Sequence, residues 1–110
     1  METETIQRHC VEAAAFMSAA ANAKRLSILR LLTQREHSVG ELSLRVGLSQ
    51  SALSQHLSRL RRDRLVETRR EAQTIYYSST SQAVATLLST LEGIFPAVDK
   101  PTARPDVSRT

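Results

Sequence analysis

The stretch VGLSQSALSQHLSRLRRDRLV, Val46 to Val66, decides how this 110-residue chain is read, because short polar residues, leucines and arginines alternate in it with a helical period. On a wheel of about 100° per residue with Leu53 at the origin, Leu57 and Leu60 fall within about 40° of it and form a narrow apolar seam. The opposite side collects Ser51, Gln55, Ser58 and Arg62, at i, i+4, i+7 and i+11, flanked by Ser54 and Arg59. Gly47 stands where a left-handed C-cap is wanted, at the end of a shorter helix over about Val39 to Val46 that turns Leu42 and Val46 inward. Ser49 is placed to cap the next helix through its hydroxyl. Helix, short glycine-containing turn, helix is the helix-turn-helix arrangement.

The outward half of that second helix is short and polar, so it enters a major groove without collision. Its serine and glutamine groups are then within reach of base edges. Gln55 offers a donor and an acceptor on one amide, the pair that matches adenine, and is the first candidate for base readout. Gln50 and Ser51, at the helix start, reach bases or phosphates, with free backbone N–H groups beside them. Arg59 and Arg62 lie farther back, where a helix leaving the groove meets phosphate. His56 falls about 60° from the leucine seam and reads as a half-buried packing or capping residue.

Working outward, Leu65 to Arg70 and Gln73 to Ser78 read as two strands, the second carrying the β-branched and aromatic run TIYY. The connection REAQ lacks glycine, so its chemistry does not announce a tight hairpin. Arg69, Arg70, Gln73 and Thr74 are expected at its tip, as a wing touching DNA backbone or minor groove or as an ordinary solvated turn. Upstream, Glu2 to about Ala21 forms a helix with Ile6, Cys10, Ala13 and Met17 on one face, and Asn22 caps the next, which buries Leu26, Ile28, Leu29 and Leu32. A fifth helix, from about Gln82 to Phe95, gathers Val84, Leu87, Leu88, Leu91, Ile94 and Phe95 on a stripe wider than one small core needs. Residues 96–110 hold all three prolines and almost no large apolar residue, the composition of a disordered tail after a single domain over 1–95.

A core of this size buries little surface, which favours a partner subunit. The net charge of +4 is concentrated: between Ser49 and Tyr77 six arginines (Arg59, Arg61, Arg62, Arg64, Arg69, Arg70) face Asp63, Glu67 and Glu71, a net of +3. Arginine in such a patch suits phosphate and base edges, a solvated helix face being the alternative. No apolar run is long enough for a membrane, and the acidic start METETIQRHC is not a signal peptide, so a cytoplasmic protein is expected. One cysteine, Cys10, excludes an internal disulfide and a multi-thiolate metal site; it is a small packing residue, an intersubunit disulfide or an oxidisable thiol. No nucleophile is matched with a base and no glycine loop cradles phosphate, which argues against an enzyme; no cofactor is expected.

From about Ala13 to Phe95 the chain resembles the winged helix-turn-helix repressors of the ArsR/SmtB family, above all in GLSQSALSQHLSRLR paired with RREAQTIYYS. The resemblance implies a mainly α fold with a β-hairpin wing and about five helices. It also implies a bacterial, nucleoid-associated homodimer joined through the first and last helices, double-stranded operator DNA of two-fold symmetry as partner, and repression as the outcome. The interface would hold Ile6, Cys10, Ala13, Met17, Leu87, Leu88, Leu91, Ile94 and Phe95. The resemblance extends to none of three inducer sites found in the family. The third helix, SVGELSLRV, lacks the Cys-x-Cys type motif of metal sensors; the last helix offers Glu92 without histidines; and the two positions of the persulfide-sensing cysteines show Arg30 and the Phe95-Pro96 end. No metal or small-molecule inducer is therefore expected. A repressor switched by oxidation of Cys10, and a winged-helix protein-interaction module without a DNA role, are the rival readings.

Overall fold

The computed structural model describes residues 2–96, in the order α1 (Thr3–Ala20), α2 (Ala23–Gln34), β1 (His37–Ser38), α3 (Val39–Val46), α4 (Gln50–Arg62), β2 (Glu67–Glu71), β3 (Thr74–Ser78) and α5 (Gln82–Ile94). The fold is mainly α, five helices with a small antiparallel sheet, as expected. Of the tail expected over 96–110, all but Pro96 lies outside the described residues.

Each helix of the central motif starts and stops for a local reason. Asn22 Oδ1 accepts from the Arg25 amide at 3.0 Å and opens α2, and Ser49 Oγ accepts from the Ala52 amide at 3.1 Å and opens α4. At α3 Ser38 Oγ accepts from the Glu41 amide at 3.2 Å while Glu41 Oε1 accepts from the Ser38 amide at 3.1 Å, a capping box not among the expected caps. Gly47 ends α3 in the left-handed region, φ 70° and ψ 43°.

The wing has three strands in the order β1-β3-β2, where two were expected. The added strand is only His37 and Ser38, paired with Tyr77 and Tyr76. Strand β2 starts at Glu67, two residues later than expected, because Arg64 takes φ 63° and the Leu65 amide folds back to the Leu60 carbonyl at 2.9 Å. Leu65 and Val66 thus close the end of α4 and enter the core. The hairpin is tight even without glycine: Glu71 pairs with Thr74 and Ala72 takes the left-handed φ of 58°.

One core joins Ile28, Leu29 and Leu32 of α2 with Leu42 and Val46 of α3, the α4 seam, Leu65, Val66, Val84 and the end of α1. Ser79 locks the entry to α5, its amide donating to Leu32 O at 3.1 Å and its hydroxyl to Leu65 O at 2.7 Å. An ion pair between Arg30 and Glu92 ties α2 to α5.

Candidate nucleic-acid interface

Helix α4 divides as its wheel requires. Leu53, Leu57 and Leu60 are 0, 2 and 0 % exposed, whereas Gln50, Ser51, Ser54, Gln55, Ser58 and Arg62 all lie in the exposed class. Thirteen residues span about 20 Å, enough to cross a major groove about 12 Å wide. The polar half is N-terminal and the cations Arg59, Arg61 and Arg62 occupy the last turn, where they also complement the helix dipole.

The wing tip lies near the start of that helix. Gln73 and Thr74, with Ile75, share an open cleft of about 390 Å³ with Gln50 of α4 and with Ser38, Val39 and Gly40 at the N-terminus of α3. Three of the sequence-derived contact residues, Gln50, Gln73 and Thr74, are thereby brought to one place.

The arginines, which the sequence treats alike, separate into two groups. Arg59 is half-buried, its Nε 3.1 Å from Asp63 Oδ2 and its Nη2 donating to Ser18 Oγ at 3.1 Å. Arg69 lies in mid-strand opposite Tyr76 rather than at the tip; Glu36 and Glu71 hold its guanidinium at 2.5 and 2.7 Å, and its charge sits 4.7 Å from the Tyr76 ring centre. These carboxylates raise the Arg69 pKa above its ordinary value, and the Arg69 hydrogen bond is the main cause that lowers Glu36. Arg61, Arg62, Arg64 and Arg70 are exposed and have no ion-pair partner among the described residues. Of the six arginines of this window, those without an ion-pair partner among the described residues are therefore at the end of α4 and on β2, while Arg59 and Arg69 are held by their own partners.

His56 is half-buried, as its angle predicts, with Nδ1 3.3 Å from Nη1 of Arg25. Burial first, and the Arg25 charge second, hold its pKa below the usual histidine range. Arg25 was not singled out in the sequence: its partners are up to 31 residues away, and no local pattern announces them.

The other sequence-derived face is on α1 and α5. Ile6, Met17, Ile94 and Phe95 are 44, 56, 60 and 70 % exposed, Cys10 is exposed, and Ala13, Leu87, Leu88 and Leu91 are half-buried. Met17, Ala20, Ala21, Leu26, Leu87 and Leu91 line a shallow, almost wholly apolar cleft of about 240 Å³. Leu88 and Phe95 meet Leu91 in the next one, while Ile6, Cys10 and Ala13 lie farther up α1 and line neither. Among the described residues no three His, Cys, Asp or Glu side chains come together as a metal site, and no helix is long and apolar enough to cross a membrane.

Comparison with known proteins identifies the family of this fold. Residues 22–68 match the family model described as bacterial regulatory protein, arsR family. The nodulation protein NolR of Rhizobium meliloti is 61% identical over 83 residues, which cover 76% of this chain and 68% of that protein. The transcriptional activator HlyU of Vibrio cholerae is 46% identical over 95 residues, 86% of this chain and 88% of that protein. The crystal structure of NolR from Sinorhizobium fredii superimposes with a TM-score of 0.82 at 53% identity, covering 89% of this chain and 97% of that one. The chain belongs to the ArsR family of bacterial transcriptional regulators.

Proposed function

We propose that this DNA-binding regulator works in the cytoplasm as a homodimer that lays its two α4 helices in successive major grooves of a two-fold symmetric operator and blocks transcription there. The observation that carries the reading is the split of α4: a leucine seam exposed by 2 % or less, backed by an exposed glutamine and serine face that ends in arginines with no ion pair among the described residues. Gln55 reads a base, Gln50, Ser51, Ser54 and Ser58 read or position, and Arg62 meets phosphate; Arg70, Gln73 and Thr74 touch the flanking backbone. Arg59 and Arg69, which carry their own partners, act chiefly by fixing the helix and the wing. The apolar faces of α1 and α5 supply the subunit contact, with half-sites about 34 Å apart as two-fold binding to B-form DNA requires. Repression follows from occupancy: a dimer seated on a promoter excludes polymerase, while the same dimer seated upstream need not, which accommodates a relative named as an activator.

Selection of bound DNA from a random pool, followed by affinity and salt titrations, tests this. The wild type enriches a two-fold symmetric site. Gln55→Ala relaxes one position of each half-site at a cost of about 1–3 kcal/mol, whereas Arg62→Ala weakens all DNA alike and lowers the salt slope by about one unit. Identical behaviour of the two variants on selected and random DNA would refute this division of roles. Operator release by micromolar divalent metal or by peroxide would refute control without an inducer.

A further inference from the structure

Arg25, in the first turn of α2, uses all three of its guanidinium nitrogens on other elements. Its Nε donates to Ala19 O at 2.6 Å, its Nη2 to Ser18 O at 3.4 Å, and its Nη1 to His56 Nδ1 at 3.3 Å. Arginine only donates, so His56 accepts at Nδ1 and its neutral ring carries the proton on Nε2. Helix α1 has no basic residue in its last turn, so Arg25 supplies the positive charge for its terminal carbonyls from a different helix. That end of α1 is seated in the core, Ala19 and Ala20 being 0 and 2 % exposed. A second bond, from Arg59 Nη2 to Ser18 Oγ at 3.1 Å, joins α4 to the same turn.

His56 and Arg59 stand three residues apart on one flank of α4, about 60° and 120° from the leucine seam. Three leucines in a line fix the distance of a helix from its support but resist rotation about that line poorly. Both polar ties lie on the same side and oppose the same rotation. Their cost is evident in the crowding of two guanidinium groups with Asp63 as the neighbouring carboxylate, and in the burial that lowers the pKa of Arg25, with the Arg59 charge adding to it.

We infer that Arg25 is a positioning residue that sets the angle between the subunit-contact helix α1 and the recognition helix α4, and thereby the half-site spacing that the dimer accepts. The inference rests on the dimeric operator-binding reading above. An error in that angle is multiplied by two through the symmetry axis, so it appears as tolerance of wrong spacing rather than as loss of base preference.

The experiment is selection from a random DNA pool with the full chain, scored for half-site sequence, for the distribution of spacings and for salt slope. Wild type yields one spacing. Arg25→Gln yields the same half-site spread over several spacings, about tenfold weaker binding at the wild-type spacing for the loss of at least two of the three guanidinium hydrogen bonds, and an unchanged salt slope. His56→Asn, whose amide oxygen accepts as Nδ1 does, keeps the single spacing, and His56→Leu disperses it. Circular dichroism checks that each variant is folded. A folded Arg25→Gln that selects the single wild-type spacing overturns the inference and leaves the dimeric reading standing. A wild type that enriches no paired half-sites overturns the dimeric reading, and the inference with it. Should Arg25→Gln not fold, His56→Leu decides alone, since it leaves both Arg25 bonds to α1 in place: dispersion supports the role and a single spacing refutes it.

Discussion

Helices α4 and α5 each have 13 residues and each carries an apolar stripe, yet among the described residues only α4 has its stripe covered. Leu53, Leu57 and Leu60 are exposed by 2 % or less, while in α5 Val84 alone is buried and the stripe opens steadily to Ile94 and Phe95 at 60 and 70 %. Helix α1 behaves like α5, with Ala19 and Ala20 buried and Ile6, Val11 and Met17 at 44, 68 and 56 %. The contrast teaches that a helical wheel reports where apolar side chains point, and not which chain covers them. A narrow seam is satisfied inside one chain, by α2, α3, the end of α1, Leu65 and Val66. A broad stripe on two neighbouring helices is more than the described residues of one chain cover, and contiguous exposed apolar surface of this kind is what the proposed subunit contact would use.

The largest effect that sharpens this contrast is in the seam. Leu57→Ala removes a side chain 2 % exposed and costs about 2–5 kcal/mol in urea unfolding, by the same amount at every protein concentration. Ile94→Ala, at 60 % exposure, costs under about 1 kcal/mol at high dilution and more as concentration rises, because its loss is felt only where subunits meet. Equal, concentration-independent costs would erase the distinction between the two helices. Next in size is Leu91→Asp, at the junction of both apolar clefts. A carboxylate buried under a second subunit, with the Arg30 that shares its cleft already paired with Glu92, is expensive to desolvate, so the proposed dimer is lost and the variant sediments at half the wild-type mass with its helical circular dichroism retained. A dimer that survives would place the subunit contact on another face.

What was legible in the sequence is what local rules decide. The bounds of α3, the left-handed Gly47, the caps Asn22 and Ser49, and the three seam leucines follow from spacing and side-chain chemistry within one or two turns. The Ser38–Glu41 capping box is equally local, an S-x-x-E pattern legible within one turn. Strand β1 was not legible, because two residues carry no period and His37 and Ser38 become a strand only through Tyr77 and Tyr76. The division of the arginines was hidden for the same reason. Arg69 finds Glu36 at a separation of 33 residues and Arg59 finds Ser18 at 41, so a count of charge along the chain overstates what is free for phosphate.

The smallest expected effects come from the C-terminal ends of the two helices of the helix-turn-helix, which use one device with different residues. After α3, Gly47 takes φ 70° and the Leu48 amide returns to Ser43 O at 3.1 Å; after α4, Arg64 takes φ 63°, and the Arg64 and Leu65 amides return to Arg61 O at 3.0 Å and Leu60 O at 2.9 Å. Both are left-handed terminations that satisfy the last carbonyls, and in the second the apolar partners Leu60 and Leu65 are buried together. Gly47→Ala adds a Cβ whose nearest neighbour is Lys24 Nζ at 4.0 Å, so its cost is conformational, about 1 kcal/mol. Arg64→Gly runs the other way. It relieves about 1 kcal/mol or more of left-handed strain and returns part of that through a more flexible unfolded chain, for a net gain of about 0.5 kcal/mol in urea unfolding at fixed concentration. Opposite signs for the two substitutions would show that the backbone sets both ends. A loss of stability in Arg64→Gly would mean that the arginine side chain stabilises the end of α4 by more than its strain, and would place Arg64 with Arg59 and Arg69 among the cations that hold the frame.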